Sequence, residues 1–114
     1  MNMNLSPKPS LEAAIKFLRV YCAESGSLEE VRNEVHQMLN LNPSNILIGL
    51  QALESLLANP PAEEGTLSYL VVVVANWPLD DPSDAGAMSW MRKLVATIRE
   101  TLDRTSREIK SQTP

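Results

Sequence analysis

The chain has 114 residues, 44% of them hydrophobic and 21% charged, a balance typical of one folded domain and not of a disordered chain. Its 14 acidic and 10 basic residues give a formal net charge of −4, which argues against nucleic acid as a partner. The single cysteine excludes an internal disulfide. We expect a cytoplasmic protein away from membranes, because the sequence has neither a secretory signal pattern nor an apolar run long enough to span a bilayer.

Helix signals divide the chain into five predicted segments, and the first two have clear starts. The first covers residues 11–24, with Ser10 as its N-cap. The second covers residues 28–39 and begins with a capping box, in which the Ser27 oxygen accepts a backbone N–H and Glu30 reaches back. Both segments carry apolar residues at spacings of three and four, which predicts one buried face on each helix.

The third predicted helix covers residues 43–58. Asn42 suits the N-cap, and Pro43 suits the first helical position because its missing N–H would be unpaired there. Gly49 lies inside the apolar stripe of this helix, where glycine costs roughly 1 kcal/mol relative to alanine. Its presence predicts close packing of a neighbouring helix.

The fourth segment, residues 67–77 with Thr66 as N-cap, is apolar on nearly every side. A helix of this kind is expected in the middle of a domain. Its four consecutive valines also favour a strand, since β-branched side chains are stiff in a helix. We predict a helix for residues 70–75 because no second strand is evident, and a lone strand leaves its backbone groups unpaired.

The fifth predicted helix is the longest and covers residues 82–109. Asp81 suits its N-cap, Pro82 its first position, and Asp84 adds negative charge to the first turn. Five helices with short connections predict an all-α fold, a compact single-domain bundle with the apolar segment 67–77 at its centre.

The ends of the chain are polar. We therefore expect a loose N-terminal arm at residues 1–9, a single helical domain at residues 10–104 and a polar C-terminal tail at residues 105–114.

Residues able to carry catalysis or bind a metal are few. His36 is the only histidine, and Cys22 falls on an apolar helix face, where a thiol is usually inert packing. A metal site needs three or four ligands, which these two residues do not supply. Asp80, Asp81 and Asp84 lack the spacing of a calcium loop, and helix capping accounts for two of them. We predict no catalytic residue, no metal and no cofactor.

Acidic residues cluster near the two tryptophans. Large rings usually pack in cores, so both rings are expected at the hinge between the fourth and fifth helices. Alternatively, one ring is partly exposed beside the acidic residues and anchors a basic protein partner. The candidate partner-binding residues are Trp77, Asp80, Asp81, Asp84 and Trp90, with Glu63 and Glu64 as a second acidic patch.

Several short motifs follow one another between residues 53 and 99: Leu56-Leu57-Ala58 before Pro60-Pro61, Gly65-Thr66-Leu67, Ala75-Asn76-Trp77, Leu79-Asp80-Asp81-Pro82, and Gly86 with Trp90. This stretch resembles bacterial immunity proteins of contact-dependent growth inhibition systems. The resemblance implies a cytoplasmic antidote that binds the effector domain of a toxin, often a nuclease, and blocks its active site or substrate path. A nuclease is basic where it meets phosphate, and an acidic helical surface can cover that place.

We therefore expect an immunity protein that is a monomer alone and a heterodimer with a basic, nuclease-type toxin domain, with neither nucleic acid nor membrane as a partner. The main alternative is a non-catalytic helical adaptor, chaperone or homodimeric regulatory module, whose contact surface would be apolar. An enzyme would need Cys22 or His36 to be open in a cleft.

Overall fold

Five helices make up the domain in a computed structural model, which describes the backbone of residues 8–112 and the side chains of residues 11–107. The predicted all-α, single-domain bundle is confirmed, and no strand occurs in residues 8–112. The helices are α1 (Lys8–Phe17, continuing as a π-helical turn, Leu18–Cys22), α2 (Leu28–Leu41), α3 (Pro43–Ala58), α4 (Thr66–Tyr69, continuing as a π-helical turn, Leu70–Val74) and α5 (Asp84–Gln112).

Two pairs of helices enclose the core: α1 packs against α3, and α2 packs against α5. Helix α5 also contacts α3 and α4, so it connects the two pairs with α4. Gly49 on α3 faces Phe17, and a Cβ atom added there would lie 2.3 Å from Phe17 Cδ2. The predicted reason for this glycine, the close approach of a neighbouring helix, is therefore confirmed. The largest fully buried side chains are Leu18, Val31, Val35, Ile46, Leu53, Leu70, Val71, Met91, Leu94 and Ile98.

The predicted starts of α2 and α3 are confirmed by their hydrogen bonds. Ser27 Oγ accepts the Glu30 N–H at 3.2 Å, and Glu30 Oε1 accepts the Gly26 N–H at 2.8 Å. The glutamate thus reaches one residue further back than in the usual capping box. Asn42 Oδ1 accepts the Ser44 N–H at 3.2 Å, and α3 ends at Ala58 as expected.

The predicted caps of α1 and α4 are wrong. Helix α1 begins at Lys8, so Ser10 lies inside the helix, and residues 1–7 of the expected arm lie outside the described residues. Gly65, with φ of 91°, precedes α4, and Thr66 is its first helical residue. Glycine suits this left-handed position because it has no Cβ atom to clash with the backbone.

The predicted start of α5 is two residues too early. Asp81 Oδ1 accepts both the Ser83 N–H at 3.1 Å and the Ser83 hydroxyl at 2.7 Å, which makes a tight turn before the helix. Ser83 Oγ then accepts the Gly86 N–H at 3.3 Å, as an N-cap residue does. Asp81 is therefore not the N-cap, and Pro82 is not helical.

Helix α4 confirms the helix predicted for the valine run, but it ends at Val74, and it is not buried on every side. In the π-helical turn the Ala75 N–H bonds to the Leu70 carbonyl, five residues back. Leu70, Val71 and Val74 face the core, whereas Val72 and Val73 are exposed. This is the three-and-four spacing of a helix with one buried face.

The packed part of α5 extends beyond residue 104, where the sequence predicted the end of the helical domain. The helix continues to Gln112, and Thr105 is buried, with its Oγ1 3.1 Å from His36 Nδ1 on α2. Residues 113–114 of the expected tail lie outside the described residues. None of the helices in residues 8–112 combines the length and the apolar character needed to cross a bilayer.

The close approach at Gly49 generates the first prediction. Substituting Gly49→Val places two methyl groups against the buried Phe17 ring, so we expect a loss of about 3 kcal/mol in the free energy of unfolding. Ser55→Val introduces the same side chain at an exposed position of α3 and should cost less than about 1 kcal/mol. Chemical denaturation measures both, and equal losses in the two variants would contradict close packing at this site.

Candidate functional site

The two tryptophans pack together where α4 leads into α5. Their ring centroids are 5.1 Å apart, and the ring planes are tilted by 48°. Trp90 is buried and Trp77 is half-buried. Asn76, in the left-handed region with φ of 55°, turns the chain from α4 towards Trp77, whose N–H bonds to the Val71 carbonyl at 3.0 Å. The rings thus pack together at this junction, as the first of the two interpretations predicts, and Trp77 is left partly exposed, which keeps the second interpretation open.

A groove of about 420 Å³ lies between the loop after Trp77 and the first turns of α5. It depends on Gly86, because a Cβ atom there would lie only 1.9 Å from the carbonyl oxygen of Asp81. The loop backbone can therefore rest on the helix only where a side chain is absent. The groove is lined by Pro78, Leu79, Asp80, Asp81, Ala85, Gly86, Ser89, Trp90 and Lys93.

Asp84 connects the turn that carries Glu63 and Glu64 with the turn that carries Asp80 and Asp81. Its Oδ2 accepts the Gly65 N–H at 2.8 Å, and its Oδ1 accepts the Ser68 N–H at 3.0 Å. These two hydrogen bonds, that from Gly65 more than that from Ser68, hold the pKa of Asp84 below its ordinary value. The Ser68 hydroxyl donates to the Pro82 carbonyl and closes the same junction. Both carboxylate oxygens of Asp84 thus accept hydrogen bonds from the protein backbone, a role that the sequence did not predict.

The exposed acidic residues lie on both sides of that connection. Glu63 and Glu64 directly precede Gly65, while Asp80 and Asp81 lie shortly before Asp84. All four are exposed, and hydrogen bonds from the Ser83 side chain and backbone lower the pKa of Asp81. The hydrogen bonds of Asp84 and Ser68 therefore tie these two acidic turns together, and we call their four exposed carboxylates, Glu63, Glu64, Asp80 and Asp81, the acidic junction.

Exposed apolar side chains are the feature that sequence reasoning missed most clearly. The unbroken valine run indicated burial, whereas its middle residues face outwards. Among residues 11–107, the large apolar residues that are exposed are Val20, Leu41, Leu47, Ile48, Tyr69, Val72 and Val73. Three of them, Tyr69, Val72 and Val73, share the outer side of α4.

Cys22 and His36, the two residues considered for catalysis, are both packed against other helices or the core. Cys22 is fully buried, and desolvation raises the pKa of its thiol to about 12. It is therefore protonated at neutral pH, whereas the reactive form of cysteine is the thiolate. His36 is half-buried beside Thr105. Within the described residues, no group of three or more His, Cys, Asp or Glu side chains could hold a metal ion.

Comparison of the chain with protein-family models, with curated proteins and with solved structures finds no match. The function is therefore inferred from the surface and from the resemblance of residues 53–99.

The bridge made by Asp84 generates a second prediction. In Asp84→Asn the amide keeps one acceptor oxygen for two N–H donors, so the variant should melt at a lower temperature than the wild type at pH 7. Because the folded pKa of Asp84 is lowered, its stabilising effect is complete above the ordinary value of 3.8 and is lost as the pH falls through the lower folded pKa. The difference in Tm should shrink below pH 3.8.

Asp103→Asn provides the control for that series, because Asp103 is exposed on the same helix. It should melt close to the wild type at neutral pH. A Tm difference between Asp84→Asn and the wild type that stays constant from pH 7 into the acid range would contradict a bridge made by the carboxylate.

Burial of Cys22 generates a third prediction. Above pH 9 the thiol ionises in the unfolded chain but stays protonated in the folded one, so stability should fall as the pH rises towards 12. The expected slope from this residue is about 1.4 kcal/mol per pH unit. Denaturation at several pH values should show a shallower decline in Cys22→Ala. Rapid labelling of the folded wild type by a thiol reagent at neutral pH would refute the burial of the thiol.

Proposed function

We propose that this chain is an immunity protein of a contact-dependent growth inhibition system, which neutralises a cognate toxin by binding its effector domain. The observation that carries the proposal is the acidic junction, in which two exposed acidic turns are held side by side by the hydrogen bonds of Asp84 to Gly65 and Ser68. The motifs of the resemblance support it, because most of them lie at the same junction of α4 and α5.

The acidic junction is organised before any partner arrives. Asp81 is fixed by two hydrogen bonds from Ser83, and the loop backbone rests on Gly86. A loop that is already ordered loses little conformational entropy on binding, so more of the contact energy remains as affinity. An inhibitor that must act at once on an incoming toxin benefits from such preorganisation.

Charge supports a basic partner. The chain carries a net charge of −4, and four carboxylates are exposed at the acidic junction. The phosphate-binding surface of a nuclease is positive, so the two proteins would attract each other over a distance of roughly a Debye length. Complementary charge raises association rates to as much as about 10⁸–10⁹ M⁻¹s⁻¹ at low salt. The association should slow as salt is added.

A homodimeric helical adaptor is the second candidate, and one observation favours it. Tyr69, Val72 and Val73 expose apolar surface on one side of α4, as an adaptor would require. Equal charges of −4 on both copies oppose this association. Gel filtration of the isolated chain distinguishes the candidates, since the immunity protein is expected as a monomer and the adaptor as a stable dimer.

Co-expression with the C-terminal domain encoded directly upstream of this gene tests the proposed function. We expect the wild-type chain to restore growth of cells that produce that domain, and the purified proteins to form a one-to-one complex. Glu63→Gln with Asp80→Asn should slow association about tenfold at low salt. Glu12→Gln with Glu29→Gln removes the same charge from exposed sites on α1 and α2 and is the matched control.

Cells that receive no protection, together with purified proteins that elute separately, would exclude this chain as the antidote to that domain. Equal slowing in the two double variants would show that the total charge, and not the acidic junction, steers the association.

A further inference from the structure

The outer side of α4 exposes three large apolar side chains. The exposed fractions are 54% for Tyr69, 36% for Val72 and 57% for Val73. Their spacings of three and four residues place them on one helical face. Single exposed apolar residues are ordinary on protein surfaces, but an aromatic ring grouped with two valines forms a patch, and patches commonly mark contact sites.

Helical spacing leaves this face on the outside. The buried residues of α4 are Leu67, Leu70, Val71 and Val74, three or four residues apart, so Tyr69, Val72 and Val73 lie on the opposite side. Valine is a poor choice for an exposed helical position, because its stiff side chain lowers helix propensity and its methyl groups contact water. Single π-helical turns in helices occur frequently at functional sites.

Carboxylates border one end of the apolar face. Tyr69 lines a depression of about 320 Å³ together with Glu63, Glu64, Gly65 and Thr66. Aromatic side chains surrounded by charged ones are typical of interface centres, where the ring supplies buried area and the rim supplies orientation. The charge at this rim is negative, so a complementary partner presents Lys or Arg beside an apolar side chain.

A second copy of this chain does not fit the same face well. Pairing through this same face would bring the same glutamates together on two chains that each carry a net charge of −4, which opposes it. Charge complementarity therefore selects a basic protein segment as the occupant.

We infer that Tyr69, Val72 and Val73, with Glu63 and Glu64 at their rim, form the docking face for a basic protein segment that carries an apolar anchor flanked by Lys or Arg. This face deepens the proposed function and rests on it for the identity of the partner as a toxin domain. It places the main energetic contact on α4, and the groove beside Trp90 contributes less.

Two probes separate the docking face from the proposed function. The first is a phage-displayed library of random peptides selected on the wild-type chain. The second is the purified C-terminal domain encoded directly upstream. Binding of each probe to the wild type is compared with its binding to Tyr69→Ala, to Val73→Ser and to the double variant Glu63→Gln with Glu64→Gln. Changes in the backbone amide NMR shifts then map the positions that the selected peptides bind.

Val20→Ser is the matched control. Val20 is 57% exposed, like Val73, and it also lies in a π-helical turn. The grooves that it borders are lined by residues of α1, α2 and α3 and of the turn after α1, none of them from α4. Because the substituted side chains are exposed, the variants should keep the wild-type fold, and an unchanged Tm for Val73→Ser keeps the test valid if Tyr69→Ala is destabilised.

The expected result is a set of peptides that combine basic and apolar residues and shift the amides of residues 63–73. Tyr69→Ala should weaken both probes roughly tenfold or more, Val73→Ser and the double glutamate variant should weaken them less, and Val20→Ser should leave them unchanged. Peptides that shift only the amides of residues 78–93, or a selection that yields no basic peptide, would overturn the docking face.

The remaining outcomes distinguish the two proposals. If the upstream domain binds the wild type and Tyr69→Ala with equal affinity, the docking face is wrong and the proposed function stands. If the peptides bind this face but the upstream domain does not bind at all, the docking face stands and the proposed function is wrong.

Discussion

The position of the acidic junction depends on one carboxylate. Asp84 is the first residue of α5, and it accepts the N–H groups of Gly65 and Ser68 at the start of α4. The N-terminal N–H groups of a helix have no partner within the helix, and a carboxylate satisfies them and also interacts favourably with the helix dipole. One side chain therefore serves the starts of two helices. This bridge, together with the hydrogen bond of the Ser68 hydroxyl to the Pro82 carbonyl, sets the relation between the acidic turns at residues 63–64 and 80–81.

Two π-helical turns pack against each other at the ends of α1 and α4, and Asn76 Nδ2 donates to the Ala23 carbonyl at 3.3 Å, where they end. Each turn exposes valine on the side away from the core, Val20 in α1 and Val72 and Val73 in α4. Because buried positions recur every three or four residues, a run that looks uniformly apolar still has outward positions.

Local signals predicted the helix starts well only where a cap bonds to its own helix. Ser27 and Asn42 each bond to a backbone N–H within the next three residues, so both partners lie in one short stretch of sequence. Asp81 makes an equally local bond to Ser83, but Ser83 itself precedes α5 and is the cap. Asp84 bonds to Gly65, 19 residues away, a contact that spacing does not reveal.

The sequence by itself determined the helical class, the bounds of α3, the caps of α2 and α3 and the need for close packing at Gly49, because each of these follows from neighbours along one helix. Tertiary structure decided the exposure of Tyr69 and Val73, the joining of the acidic turns and the burial of Thr105 against His36. These features arise from contacts between helices that are distant in sequence. Hydrophobic periodicity reports only which residues share a face, whereas the neighbour that covers a face, or leaves it open, is selected by the packing of the whole bundle.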